Sequence, residues 1–332
     1  MPKLKFQYVR THHGLENITQ FLERRFRYHS AEEWATRVLE GYVLINGKSV
    51  LPDHLLETRE KITYEPPPAP EPPVDTRYEI LYEDDVLLAV SKSGNIPTSP
   101  SGKYWNNCLV HLLQRKMKRK EIYAVHRLDR ETSGVNVFAK TKEVAAQLGE
   151  DFFHARTEKY YTALLAGRME EREVLVDAPL GGDKSGRIKI KQYALPDGRP
   201  SQTRFVLKAV LPGASLVQVI PITGRTHQIR VHAAHMGHPV LGDLLYGADD
   251  ETFIQWISDP EKDYSQRHLL HATHLTITHP ISGERITFHA SDKVLLDAFH
   301  QGLHLRTHGQ HPAGTNAELN IEEDVGGLEG DL

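Results

Sequence analysis

Cysteine is nearly missing from this chain. Cys108 is the only one in 332 residues, which excludes an intrachain disulfide and any zinc cluster built on cysteine. Long apolar runs are missing as well: none is long enough to cross a bilayer, and the opening Met1-Pro2-Lys3-Leu4-Lys5 lacks the apolar stretch of a signal peptide. The expectation is a cytoplasmic protein without membrane attachment. There is also no excess of positive charge. The formal net charge is -4, which taken whole argues against a polyanionic partner. That total hides an uneven distribution. Residues 313–332 hold six acids (Glu318, Glu322, Glu323, Asp324, Glu329, Asp331) and no Lys or Arg, and with those acids set aside the balance becomes +2. Local patches decide nucleic-acid binding more than the sum does.

A hydrophobic content of 39% over this length suffices for one large core and a small second one. Six prolines between Glu65 and Asp75 favour an extended polyproline spacer, so the chain divides into a unit at 12–64, a linker at 65–76, a larger domain at 77–305 and an acidic tail at 306–332. The tail lacks periodicity and is expected to be disordered.

In the first unit Leu15, Ile18, Leu22 and Phe26 recur at helical spacing. Ser30-Ala31-Glu32-Glu33 has the form of a capping box opening a second helix through Trp34 and Val38. Tyr42-Val43-Leu44-Ile45 reads as a strand, and Asn46-Gly47 is a strong hairpin signal. Arg24, Arg25, Arg27 and Arg37 fall on the polar faces of the helices, where a solvated charged face is the competing explanation.

Beyond the spacer, Ile80-Leu81-Tyr82 and Val86-Leu87-Leu88-Ala89-Val90 read as strands. An amphipathic helix is expected over 105–120, and its last six residues, Arg115, Lys116, Met117, Lys118, Arg119 and Lys120, hold five cations. Those could grip a polyanionic backbone or simply end a helix favourably. Glu143–Phe153 reads as a helix, residues 157–167 as a strand, and the basic, glycine-punctuated Gly181–Lys191 as a mobile hairpin that clamps RNA or is ordinary surface.

The chain is organised around His126-Arg127-Leu128-Asp129-Arg130-Glu131-Thr132-Ser133-Gly134, a charged turn leading into the β-prone Val135-Asn136-Val137-Phe138-Ala139. With His126, Arg127 and Arg130 beside it, Asp129 is expected to stay ionised and to have its pKa lowered by neighbouring positive charge, and an ionised Asp is a possible nucleophile. Taken alone, the stretch is better explained as an Asp, Thr and Ser turn cap.

In its context, however, the stretch resembles the His-Arg-Leu-Asp-x-x-Thr-Ser-Gly motif of the RluA-type pseudouridine synthases, matching at all seven specified positions. Two further stretches resemble that family: Lys159-Tyr160-Tyr161-Thr162-Ala163, and Gly224-Arg225-Thr226-His227-Gln228-Ile229-Arg230-Val231-His232, continuing into Gly237-His238-Pro239-Val240-Leu241-Gly242-Asp243 and Tyr246-Gly247. Lys92-Ser93-Gly94 departs from the family's usual Lys-Pro. Residues 12–64, with Gly41-Tyr42-Val43-Leu44-Ile45-Asn46-Gly47-Lys48, resemble the S-four-like RNA-binding domain, named for a ribosomal protein.

The resemblance implies an α+β protein: a small S-four-like domain, then a catalytic domain with a mixed, largely antiparallel sheet flanked by helices. It also implies isomerisation of uridine to pseudouridine in RNA. Asp129 would be the catalytic carboxylate, Arg230 its partner and Tyr161 the residue against the target base, with Arg127 filling the gap left by the flipped nucleotide. RNA contacts are expected from Arg24, Arg25, Arg27, Arg37, Lys48, Arg115, Lys116, Lys118, Arg119 and Arg225. Neither a cofactor nor a metal is implied, and the cluster His227, His232, His235 and His238 lacks the Cys, Asp or Glu of a familiar zinc spacing. The expected partner is RNA, ribosomal in preference to transfer RNA, bound by a monomer. The rivals are a transfer-RNA enzyme of the same family, a non-catalytic RNA-binding protein, and a glycoside hydrolase, which would need a second carboxylate facing the bond.

Overall fold

The computed structural model describes residues 4–9, 15–26, 29–65, 67, 70–183, 186–259, 262 and 267–300. Arg27, Lys184 and the acidic tail lie outside the described residues. None of the described helices is long and apolar enough to cross a membrane.

The first unit is a four-stranded sheet with two helices. In chain order it contains β1 (Leu4–Gln7), α1 (Ile18–Arg25), α2 (Ala31–Leu39), β2 (Val43–Ile45), β3 (Lys48–Ser49) and β4 (Lys61–Tyr64), with strand order β1-β4-β2-β3. Both helices start on reciprocal capping boxes, Asn17 with Gln20 and Ser30 with Glu33, which satisfy amides that would otherwise be orphaned. Trp34, fully buried, stacks edge-on against Tyr64 at 4.9 Å and sits among Ile18, Leu22, Val38, Val43 and Ile62. Two expectations need correction. Leu15 lies before the Asn17 cap and is 67% exposed, so it does not share the helix's apolar face. The unit also reaches back past residue 12, because β1 pairs with β4 in register from Leu4↔Tyr64 to Gln7↔Lys61; four residues are too short to give a strand period in the sequence.

Part of the proline segment is docked rather than free. The Glu71 carboxylate accepts the amides of Trp105, Asn106 and Asn107 at 2.9, 2.8 and 2.7 Å, and Val74 packs on the core beneath.

The second unit continues with β5 (Tyr78–Glu83), β6 (Leu87–Lys92), α3 (Leu109–Lys116), β7 (Tyr123–Ala124), β8 (Ser133–Ala139), α4 (Lys142–Phe153), β9 (Glu158–Ala166), β10 (Glu173–Asp177), β11 (Leu180–Gly182), β12 (Gln192–Ala194), β13 (Gln202–Leu211), β14 (Ala214–Pro221), α5 (Gln228–His235), α6 (Asp250–Ser258), β15 (Leu270–Thr278), β16 (Arg285–His289) and α7 (Lys293–His300). Its ten-stranded sheet runs β10-β13-β14-β9-β15-β8-β6-β5, with β7 on β8 and β16 on β15. Only β15 and β8 pair in parallel, so the sheet is mixed and largely antiparallel, as expected of an α+β protein. All seven residues of β8 are buried, the polar Ser133 and Asn136 included, so its sequence does not alternate apolar with exposed polar residues.

The parallel junction of β8 and β15 sits directly beyond the Asp129 turn. Gly134 has φ +108°, and a Cβ there would lie 2.1 Å from the Ala272 carbonyl oxygen. Gly134→Ala therefore adds backbone strain to a clash that no rotamer relieves. We expect a loss of at least ~3 kcal/mol in urea unfolding. An unchanged midpoint would contradict this close approach.

The basic helix is shorter than expected. It ends at Lys116, and Lys118 has φ +52°, so Lys118 and Arg119 follow the helix in a turn. Arg119 donates to the Lys140 carbonyl, just past the far end of β8. Seven strand residues thus separate this cluster from the Asp129 turn by ~20 Å, not the immediate neighbourhood that chain distance allowed. The glycine-punctuated hairpin is likewise anchored: Arg187 and Lys191 pair with Glu251 and Asp250 of α6 at 3.0 and 2.6 Å, and Ile188 is buried against Phe253.

Candidate active site

The turn carrying Asp129 is held mostly through its backbone. Lys92, buried at the end of β6, donates from Nζ to the carbonyls of Ser93, Ile96 and Arg130 at 2.8, 2.8 and 3.1 Å. Thr98 Oγ1 accepts the Leu128 amide and donates to Asn136 Oδ1, while Arg267 donates to the Glu131 carbonyl. The Thr132 hydroxyl is 2.7 Å from His268 Nε2. Such bonds leave the Asp129 side chain little freedom to swing away.

Two of the three expected cations beside Asp129 are not available to it. Burial, with the Lys159 charge added, depresses His126 to about 3, so its ring is neutral. It stacks on Phe152 at 4.5 Å and accepts the Val137 amide at 3.0 Å through Nε2. Arg130 turns to Glu131 and the Tyr104 hydroxyl. Their adjacency in sequence could not reveal that these side chains leave the turn in other directions.

The cation that does meet Asp129 comes from α5, a hundred residues downstream. Arg230 donates from Nη1 to Asp129 Oδ2 at 2.8 Å, and from Nε and Nη2 to Asp243 at 2.6 and 2.9 Å. The planar guanidinium thus carries two carboxylates in one fixed fork, which a lysine could not reproduce. Tyr246 lies with its ring 5.0 Å from the guanidinium carbon, and Asp243 in turn accepts the amides of Leu245 and Tyr246. Burial pushes the Asp129 carboxyl up, but His227 and Arg230 more than offset it and hold it below the usual Asp value. His227 lends charge only while protonated, and burial lowers its own basicity; the permanent charge is Arg230's. His227 Nε2 is 4.0 Å from Asp129 Oδ2, and its Nδ1 is 2.7 Å from the Tyr246 hydroxyl. That hydroxyl also accepts the Gln192 amide.

Asp129, His227 and Arg230 line a cleft of about 390 Å³ together with Arg127, Tyr161, Lys159, Arg225, Phe152 and Phe153. Tyr161 comes from β9, and burial together with the Asp129 charge raises its pKa, so it presents a neutral phenol and an aromatic face. It is a donor there, not a base. Arg127 and Arg225 stand at the cleft; Arg225 also donates to the Pro200 carbonyl.

The remaining expected RNA contacts are dispersed. Arg115 donates to the Asn106 carbonyl, and Lys116 and Lys118 are exposed with it at the end of α3, away from the cleft. Arg24 binds both oxygens of Glu16 at 2.8 and 2.9 Å, Arg25 lies over the rings of Phe6 and Phe26, and Arg37 donates to the Glu33 carbonyl. Lys48 is exposed on β3.

Among the described residues, no group of three or more His, Cys, Asp or Glu is placed to hold a metal. His232 and His238 are occupied by Thr203 with the Ala178 carbonyl and by the Ala166 carbonyl, respectively. Among the described residues Asp129 is the one carboxylate that lines the cleft, where a glycosidase would need two; the Asp243 side chain is 1% exposed and does not line it. The sequence gives no site role to Asp243, Tyr246 or Lys92, and marks His227 only as a member of a histidine cluster. The signal for Asp243, His227 and Tyr246 was their position in the stretch around Arg230, but nothing in the stretch states which side chain its aspartate faces.

The family described as RNA pseudouridylate synthase matches residues 86–235. Among curated proteins, the chain is 32% identical over 266 residues to ribosomal large subunit pseudouridine synthase C of Vibrio cholerae, covering 76% of this chain and 81% of that one. It is 36% identical over 221 residues to the dual-specificity RNA pseudouridine synthase RluA of Escherichia coli, covering 66% and 95%. Among solved structures, human RNA pseudouridylate synthase domain containing 1 superposes with a TM-score of 0.54 at 27% identity, covering 70% of this chain and 97% of that chain.

Proposed function

The chain belongs to the RNA pseudouridylate synthase family, of the RluA type, and on that premise we propose that Asp129 is the essential carboxylate of an RNA isomerase acting mainly on ribosomal RNA. The reaction breaks the bond from uracil N1 to the ribose C1′, turns the base and joins C5 to C1′. C5 gives up its hydrogen as a proton and N1 gains one, so nothing is oxidised or hydrolysed. Asp129 serves as nucleophile toward base or sugar, or as base toward a sugar proton. Tyr161 offers its face to the extruded uracil, and Arg127 fills the vacated stack. Extruding a base costs a few kcal/mol, offset by stacking and backbone contacts.

The observation that carries this reading is that Asp129 is held by the Arg230 guanidinium, itself fixed by Asp243, in a cleft that Tyr161 also lines. An ionised carboxylate that is fixed and only 22% exposed suits a step that water must not interrupt.

The first unit we assign as an S-four-like RNA-binding domain, on the strength of its two capped helices followed by the Gly41–Lys48 turn, with Arg24, Arg25 and Lys48 as its cations. Such a unit favours a large structured substrate. The match to the ribosomal enzyme covers more of this chain, 76%, than the match to the dual-specificity enzyme, 66%. We place the protein in the cytoplasm as a monomer.

The test uses transcripts of large-subunit ribosomal RNA and of transfer RNA labelled with tritium at uridine C5. Release is expected from the ribosomal transcript, with less than about a tenth as much from transfer RNA. The reverse ratio would overturn the choice of substrate while leaving the activity intact. Binding without release from either would favour the non-catalytic reading.

A further inference from the structure

Among the described residues, the most exposed of the large hydrophobic side chains is Phe153, at 76%. It ends α4 and lines the cleft that contains Asp129. Successive helix residues point about 100° apart, and the pair Phe152-Phe153 uses this. Phe152 faces inward and stacks on His126, whereas Phe153 faces out.

The exposure is not a frayed end. The His154 amide bonds the Glu150 carbonyl and the Arg156 amide bonds the Asp151 carbonyl, with Arg156 also paired to the Asp151 side chain at 3.0 Å. Ala155 closes the turn at φ +53°. The backbone is therefore set, and among the described residues the one aromatic-ring contact of Phe153 is the edge of His154 at 5.0 Å. An aromatic ring left in water forgoes the stabilisation of burial, so the folded chain alone gives no reason for Phe here.

The surroundings supply one. Arg127, Lys159 and Arg225 share the cleft, and an aromatic face beside cations is the combination that holds single-stranded nucleic acid. When a uridine leaves its stack to reach Asp129, its neighbours lose a stacking partner. We infer that Phe153 is a stacking platform for the nucleobase adjacent to the target uridine. This rests on the pseudouridine synthase reading, and it names a contact that none of the three motif stretches contains.

The experiment measures kcat, KM and Kd of the full-length protein on whichever tritiated transcript the wild type modifies. Phe153→Ala should raise KM and Kd by about 5- to 150-fold, the range for one lost base–aromatic stack, with kcat within about twofold. Phe153→Trp should behave as the wild type. With the modified uridine mapped, an abasic nucleotide on the contacted side should weaken binding to the wild type but add little in Phe153→Ala, because both changes remove the same contact. Unchanged KM and Kd, additive effects, or a loss confined to kcat would each overturn the platform. Absence of release by the wild type would instead count against the enzymatic reading, and Kd of the ribosomal transcript for wild type and Phe153→Ala would still decide whether the ring contacts RNA.

Discussion

Asp129→Asn should fold, bind RNA about as well as the wild type, and release no measurable tritium from C5-labelled uridine, a loss of at least ~10⁴-fold in kcat. The substitution keeps shape and an acceptor oxygen toward Arg230 while removing the charge. The guanidinium is not left without a partner, because Asp243 still occupies Nε and Nη2. The buried carboxylate whose desolvation opposes folding is also gone. Thermal unfolding should therefore stay close to the wild-type temperature, which separates this outcome from a trivial loss of structure. Release at an undiminished rate would remove Asp129 from the chemistry.

Arg230→Lys should lower kcat by about 10²–10³-fold and move the acid limb of the pH–rate profile upward. An ammonium is one compact charge and cannot reach Asp129 and Asp243 in the fork geometry that Nη1, Nε and Nη2 provide. The sign of the pH effect follows from the balance on Asp129. Burial raises its pKa, and the charges of His227 and Arg230 lower it to a net value below the ordinary one. In the wild type the carboxylate thus stays ionised as pH falls through the usual Asp range, and activity that needs it persists there. With the opposing charge displaced, burial wins more of the contest, protonation begins at higher pH, and activity is lost sooner on acidification. A profile that keeps both its height and its acid limb would show that the ion pair does not tune Asp129. Circular dichroism on the same sample establishes that the variant is folded before the profile is read.

The extent to which this site was legible varies with how local its interactions are. The helix starts at Asn17 and Ser30 are written in four-residue boxes, and the structure contains both. The strands β5, β6, β8 and β9 lie within a few residues of the apolar runs that announced them, because burial on a sheet leaves that imprint. The charge environment of Asp129 was not legible in the same way. Its neighbours in the chain, His126 and Arg130, looked like its cations, yet one is neutral and the other bonds Glu131 and Tyr104. In a turn, consecutive side chains diverge, so closeness in sequence says little about which charges meet. The same limit affects the basic run after α3. Chain length allowed Arg119 to approach Asp129, whereas the sheet places it beyond the opposite end of β8.

By itself the amino-acid sequence indicated two globular patterns on either side of a proline-rich stretch, and it held three short stretches, around Asp129, Lys159 and Arg230, that resemble the motifs of one enzyme family. Those features depend on side-chain type and short-range spacing, which a sequence states directly. Only the tertiary structure decided that Arg230 serves Asp129 and Asp243 at once, that His126 is neutral and that Phe153 stays exposed where it lines the cleft. Each of these depends on desolvation and on direction in space, and both arise only when elements far apart in the chain pack against one another.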